Sequence, residues 1–370
     1  MELGVLVIKL QLVRNAGQRS KNYIMDLKNF CHKLPKIELH AHLNGSASPK
    51  TLRTLYKMQN LSKNNDINEY SCIIERHSSL EECFKMFSIA HSLTNNPEAI
   101  FIVTCNVIKE FMDDNVIYLE LRSTPRAVEG KMTKEEYIEA MIRAIKNCKL
   151  SCPNIVVKLL ISVDRKQGYE AASENIKLAM NYATKYPGDV VGIDLSGDPT
   201  KGSVFIELLK ESRTAGLKIA AHCAEVPNEM ESMDILNLKP ERLGHCTCIH
   251  PNLGGTASLF EAFCQSRIPI ELCLTSNVKC KTVPSYVDHH FKYFYEAGHP
   301  ICIATDDKGV FDTSLSKEFE IASSVFGLQR EDLIKICKSS IEYSFASNEE
   351  KQRLLSMLIN FNSKEELISS

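Results

Sequence analysis

No apolar run in this sequence is long enough to cross a bilayer. It also lacks a charge imbalance: 44 Lys and Arg stand against 46 Asp and Glu, a formal net charge of −2. The whole-molecule field therefore favours neither a nucleic-acid polymer nor an anionic membrane, and any anion has to be recognised by a local site. Low-complexity stretches, linkers and short internal repeats are missing as well. Fourteen cysteines are present without a C-x-x-C pair. A chain this large does not need disulfide staples, so free thiols and a reducing compartment, the cytosol, are expected. Cys105, Cys273 and Cys302 sit inside apolar runs, where a thiol packs as a small hydrophobe.

What is present is a globular composition, 44% apolar and 24% charged over 370 residues. Eight short apolar, β-branched runs recur, at 37–43, 116–124, 154–164, 190–198, 217–225, 242–247, 268–277 and 300–307. Near-continuous apolar runs of this kind mark buried parallel strands. Segments with helical spacing lie between them, at 80–112, 133–148, 170–186, 201–215 and 256–266. Eight strand–helix alternations predict an α/β chain closed into a (β/α)8 TIM barrel, with extra C-terminal helices over 315–359. Residues 30–360 are expected to form one catalytic domain. Residues 1–29 read as a poorly packed extension. Their start is apolar, then basic, with only Glu2 acidic, as in a weak transit peptide, but Lys9 and Gln11 interrupt the apolar stretch.

The predicted strands end in polar residues: His40, His42 and Asn44; Arg122 to Arg126; Asp164; Ser196, Gly197 and Asp198; His222 and Glu225; His245; Thr275 to Asn277; Asp306 and Asp307. In a barrel these ends meet on one face, where active sites form. His40 and His42 are two residues apart in a strand, so their imidazoles project to the same side. A lone histidine is more often a core residue, but two in register, with His222 and Asp306 at other strand ends, point to a metal. Imidazole nitrogens with one carboxylate suit a zinc-like ion, and a set without cysteine leaves room for a water, as in catalytic sites. Such an ion lowers the pKa of bound water to about 7. Glu225, three residues after His222, is placed to donate a proton to a substrate. His245 and Asp307 are placed to hold the attacking water and take its proton. Cys223, Cys246 and Cys248 form a rival thiol cluster, weakened by the missing C-x-x-C spacing. The P-C-x-x-C signature of one group of zinc nucleobase deaminases is absent too.

LPKIELHAHLNGS (34–46), YLELRSTPR (118–126), VVGIDLSGDPT (190–200), HCAEVPN (222–228), IELCLTSN (270–277) and ATDDKGVF (304–311) resemble the adenosine deaminase family over residues 30–345. Within it, the chain is similar to the branch acting on N6-methyl-AMP. The resemblance implies a metal-dependent hydrolase barrel with one zinc per chain on His40, His42, His222 and Asp306. It implies that Glu225 protonates purine N1 while zinc hydroxide, oriented by His245 and Asp307, attacks C6. Gly197 would offer its N–H to the ring. Asn44 stands where nucleoside deaminases carry an aspartate facing the ribose 5′ end; a neutral amide there removes the repulsion of a 5′-phosphate. Ser123, Thr124, Pro125 and Arg126 supply hydroxyls and a guanidinium suited to phosphate. By resemblance, His42, His91 and Asp307 also line the pocket and Asp164 contacts the substrate.

The chain departs from the family at Cys246, a position usually occupied by glycine, which puts the setting of His245 in question. His32, His77, His250, His289, His290 and His299 are read as structural or exposed, and His289 and His290, in VPSYVDHHF, have no chemical role in this reading. The expected reaction is hydrolysis of N6-methyl-AMP to IMP and methylamine, within nucleotide metabolism and purine salvage. The expected partner is a small purine nucleoside monophosphate, with no nucleic-acid polymer and no membrane, and the chain is expected to be a monomer. An adenosine or AMP deaminase is the first alternative. A zinc phosphoester hydrolase, for which Glu225 has no task, and a non-catalytic nucleotide binder follow.

Overall fold

The computed structural model describes residues 25–59 and 80–369. Eight parallel strands run in sheet order from β1 to β8: β1 Lys36–His42, β2 Val116–Ser123, β3 Val156–Asp164, β4 Val190–Ser196, β5 Lys218–Cys223, β6 Arg242–His245, β7 Ile270–Leu272 and β8 Ile301–Ile303. At least one helix connects each consecutive pair, as parallel neighbours require. The barrel closes just past β8, where Ala41 and Asp306 form a parallel bridge. There His42 N–H donates to Asp306 O (3.0 Å) and Asp306 N–H to His40 O (2.8 Å). Buried Glu38 reinforces this seam by accepting from the N–H (3.0 Å) and hydroxyl (2.8 Å) of Thr305.

The barrel interior is polar. Glu38 and His40, both fully buried, precede His42 along β1. Arg122, Arg242, Glu120, Glu271 and Asp194 are fully buried. Arg122 donates to Asp194 Oδ1 (2.9 Å) and Glu271 Oε2 (3.0 Å). Arg242 Nε donates to Glu271 Oε1 (2.6 Å), and its terminal nitrogen to Glu120. Buried charges persist only when matched in this way. Three further helices follow β8: Leu315–Phe326, Arg330–Tyr343 and Asn348–Ser369. Phe345, between the last two, packs on Leu160 and Ala220 with the Arg242 guanidinium 3.8 Å from its ring centre. It closes the barrel end opposite the site.

Of the expected N-terminal extension, residues 1–24 lie outside the described residues, as does His77. Residues 25–33 are helical, with Leu27, Phe30 and Cys31 buried, so packed structure begins before residue 30. No helix among the described residues is long and apolar enough to cross a membrane.

Candidate active site

His40 and His42 end β1, His222 lies in β5, and Asp306 follows β8. The barrel brings one ligand atom of each within 4.8 Å of the others. Asp306 Oδ1 is 3.3 Å from both His40 Nε2 and His42 Nε2, and His42 Nε2 is 3.3 Å from His222 Nε2. The second ring nitrogens decide the tautomers. His40 Nδ1 lies 2.7 Å from Glu271 Oε2 and His222 Nδ1 lies 2.8 Å from the Leu195 carbonyl. A carbonyl only accepts, so Nδ1 of His222 carries the proton and Nε2 presents a lone pair; the Glu271 carboxylate acts likewise on His40. Among the described residues, His40 Nε2 is buried with no hydrogen-bond partner. Bare imidazole nitrogens converging on one carboxylate fit a divalent metal ion. Burial opposes charge on Asp306, yet the surrounding His40, His245 and His42 hold its carboxyl well below the ordinary range. Ser276 Oγ donates to its other oxygen (2.6 Å).

Ala224, His245 and Asp306 adopt positive φ (49°, 61° and 60°). Such backbone is uncommon outside glycine and concentrates at functional sites. His245 Nε2 lies 3.9 Å from both Glu225 Oε2 and Asp306 Oδ2. Burial pushes the Glu225 carboxyl up, and its Oε1 is buried without a partner among the described residues. Asp307 is raised further, by burial and by the adjacent Asp306 charge, and its Oδ1 is also unpartnered. A Cβ on Gly45 would lie 1.7 Å from that oxygen, so glycine leaves the room Asp307 occupies. Gly197 has φ 97°, and a Cβ there would lie 2.1 Å from Asp164 Oδ1. Cys223, Cys246 and Cys248 are free, buried thiols; Cys248 Sγ donates to Glu225 O (3.6 Å).

A connected polar chain begins at Asn44, two residues beyond His42. Thr94 Oγ1 lies 3.2 Å from Asn44 Oδ1 and accepts from Arg126 (2.8 Å). Asn44 Nδ2 lies 3.3 Å from Tyr137 OH, which is 2.7 Å from Ser123 Oγ. Arg126 also donates to the carbonyls of His91 and Thr94 (2.6 Å each), while the His91 side chain is exposed. Arg126 is half-buried, its Nε is unpartnered, and no carboxylate of the described residues forms an ion pair with it. Thr124 is half-buried and Pro125 buried beside it.

The adenosine deaminase family profile matches residues 35–361. The chain belongs to the adenosine deaminase family. It is a hydrolase of carbon–nitrogen bonds other than peptide bonds, with the metal-binding group such enzymes need. Among family members, N6-methyl-AMP deaminase from Danio rerio is 46% identical over 88% of this chain and 94% of its own length. The Homo sapiens protein of that name is also 46% identical, over 88% and 93%. The apo N6-methyl-AMP deaminase structure from Arabidopsis thaliana superposes with TM-score 0.82 at 36% identity, covering 90% of this chain and 98% of its own. An Arabidopsis relative was solved with IMP, at 35% identity and TM-score 0.79 over 90% and 98%.

Within this family barrel, sequence reasoning missed Glu271, Asp194, Thr94 and Tyr137. Asp194 Oδ1 lies 3.2 Å from His222 Nδ1, and Tyr137 is fully buried behind Asn44 and Ser123.

Proposed function

We propose that the protein hydrolyses N6-methyl-AMP, and related 6-substituted purine monophosphates, to IMP and the free amine. The observation that carries this is the neutral Asn44 joined through Thr94 to Arg126, a half-buried cation with no carboxylate partner among the described residues. It leaves a positive site for a 5′-phosphate at the end of a pocket whose other end is the His/Asp cluster. The substrates named for the relatives agree with it.

His40, His42, His222 and Asp306 would hold one zinc ion. The chemistry such an ion would supply is a bound water whose pKa is lowered to about 7. Glu225, whose carboxyl is pushed up by burial, donates to N1 and draws electron density from C6. His245 and Asp307 orient the water, and His245 accepts its proton. Gly197 offers its N–H to the ring, Asp164 meets the ribose, and Ser123, Thr124 and Arg126 bind phosphate, with His42, His91 and Pro125 lining the walls. Water oxygen bonds to C6, the C6–N bond breaks, and methylamine leaves with a proton. The protein would act in the cytosol, as a monomer.

The test is deamination of N6-methyl-AMP, AMP, N6-methyladenosine and adenosine side by side, by wild type and Asn44→Asp. Wild type is expected to prefer N6-methyl-AMP. The carboxylate variant should lose about 1.5–3 kcal/mol of nucleotide recognition, roughly 10- to 150-fold in kcat/KM, and little on nucleosides. Adenosine as the best substrate would overturn the phosphate reading and leave a nucleoside deaminase.

A further inference from the structure

His289 and His290 lie outside the pocket lining, yet both rings are fully buried and stacked, with centroids 4.1 Å apart at 20°. Each has a defined hydrogen-bonding task. Phe291 N–H donates to His289 Nδ1 (3.0 Å), so that nitrogen carries no proton. His289 Nε2–H must then donate to Asn277 Oδ1, 3.1 Å away. This fixes the Asn277 amide, whose Nδ2 turns to Thr247 Oγ1 (3.4 Å) and Thr282 Oγ1 (3.1 Å). His290 Nε2–H donates to the carbonyl of His245 (2.8 Å). Burial pushes both rings below the ordinary range, His290 to about 4, so they remain neutral.

The two contacts end on one short turn. His245 and Cys246 are consecutive left-handed residues, φ 61° and 57°, a conformation that a Cβ disfavours. Thr247 begins the following 3-10 turn. His290 holds the front of the turn through the His245 carbonyl, and His289 holds its back through Asn277 and Thr247. Cys246 N–H bonds to the Cys223 carbonyl (3.1 Å), tying the middle to β5. His245 therefore aims Nε2 between Glu225 and Asp306 from a backbone that does not relax to an ordinary conformation.

We infer that His290, with His289 behind it, is a positioning residue that sets the His245 imidazole through the backbone of the His245–Thr247 turn. The inference rests on the role given to His245 above. It also accounts for a non-glycine residue at position 246: the clamp supplies the geometry that glycine would adopt without strain.

The experiment is steady-state deamination of N6-methyl-AMP, with bound metal measured, for His290→Phe, which keeps a ring but no donor, and His290→Gln, which keeps a donor. Misplacing a catalytic group by about 1 Å costs on the order of 100-fold. His290→Phe is expected to lose kcat on that scale, with KM and metal content nearly unchanged, and His290→Gln to recover most of it. In a His245→Ala background, His290→Phe should cost nothing further, because both changes remove the same contribution. If His290→Phe does not fold, His290→Met supplies the donor-free case. Equal losses in the Phe and Gln variants, no loss in either, or additive losses with His245→Ala overturn the inference. A His245→Ala enzyme that retains wild-type kcat overturns instead the role given to His245.

Discussion

At Glu225 the proposed chemistry rests on one carboxyl group whose Oε1 has no partner and whose pKa burial raises. A carboxyl pushed up in this way and set 3.9 Å from His245 Nε2 is suited to ring protonation, and general acid catalysis contributes roughly 10²–10⁴-fold. Glu225→Gln is expected to lower kcat by about that factor while metal content and KM hold, since the amide fills the same space without a transferable proton. A glutamine variant with near-wild-type kcat would remove Glu225 from the mechanism. The residues assigned to chemistry were readable because each is a reactive type at the end of an apolar run. Their supports were harder to see. Glu38 lies two residues before His40, Glu120 two before Arg122 and Asp194 two before Ser196, on the same inner side of each strand. Inside runs such as IELHAH and GIDLS they pass as interruptions. The available signal was an ionisable residue in phase with a functional strand end. Tyr137 offered none: it is one apolar position on the helix Lys134–Ser151.

Elements were legible where period and composition agreed, which covers all eight strands and most helices. The seventh run was read as a strand over 268–277, yet only Ile270–Leu272 pairs, and Leu274–Lys279 is helical. In the helical part, the Thr275 N–H and hydroxyl are taken by Glu318. The helical stretch 80–112 is two helices, Leu80–Leu93 and Pro97–Asp113, divided where Asn96 caps and Pro97 opens the second. Glu229–Leu238 went unread although Asn228 caps it, because its apolar face is short. At the start of β1, Lys36 Nζ donates to the carbonyls of Cys31 (2.8 Å) and Leu34 (2.9 Å), joining the end of the first described helix to the barrel. Burial lowers its pKa from 10.5 to about 8. Between those values the unfolded chain holds a proton that the folded chain has released, so this residue makes stability rise with pH, by up to about 3 kcal/mol. Below pH 8 both states are charged and its contribution is flat. Urea unfolding at pH 8, 9 and 10 should show wild type gaining on Lys36→Met across the window. A pH-independent difference would mean that Lys36 stays charged throughout.

The metal cluster is also a statement about the whole barrel. The four residues proposed to hold the ion come from β1, from β5 across the interior, and from the segment that closes β8 onto β1. Asp306 and His42 are proposed ligands and also the two sides of the closing seam, where they share a backbone hydrogen bond. An ion held by all four side chains therefore ties the seam to the opposite wall, and the unfolded chain offers no such site. Binding to the native state alone stabilises it by about 4 kcal/mol when free metal exceeds Kd a thousandfold. Unfolding entropy near 2.1 cal/mol/K per residue amounts to roughly 0.8 kcal/mol/K for a chain of this size, so stripping the ion should lower Tm by about 5 °C. Chelation followed by calorimetry, with zinc added back, measures this. Hydrogen exchange at the amides of His42 and Asp306 should accelerate in the stripped protein more than at Ile219, deep in β5. Loss of activity with no change in Tm or seam exchange would mean the ion is held by fewer of these side chains and does not bridge the seam. Restoration of both by one equivalent of zinc would tie catalysis and barrel closure to the same four ligands.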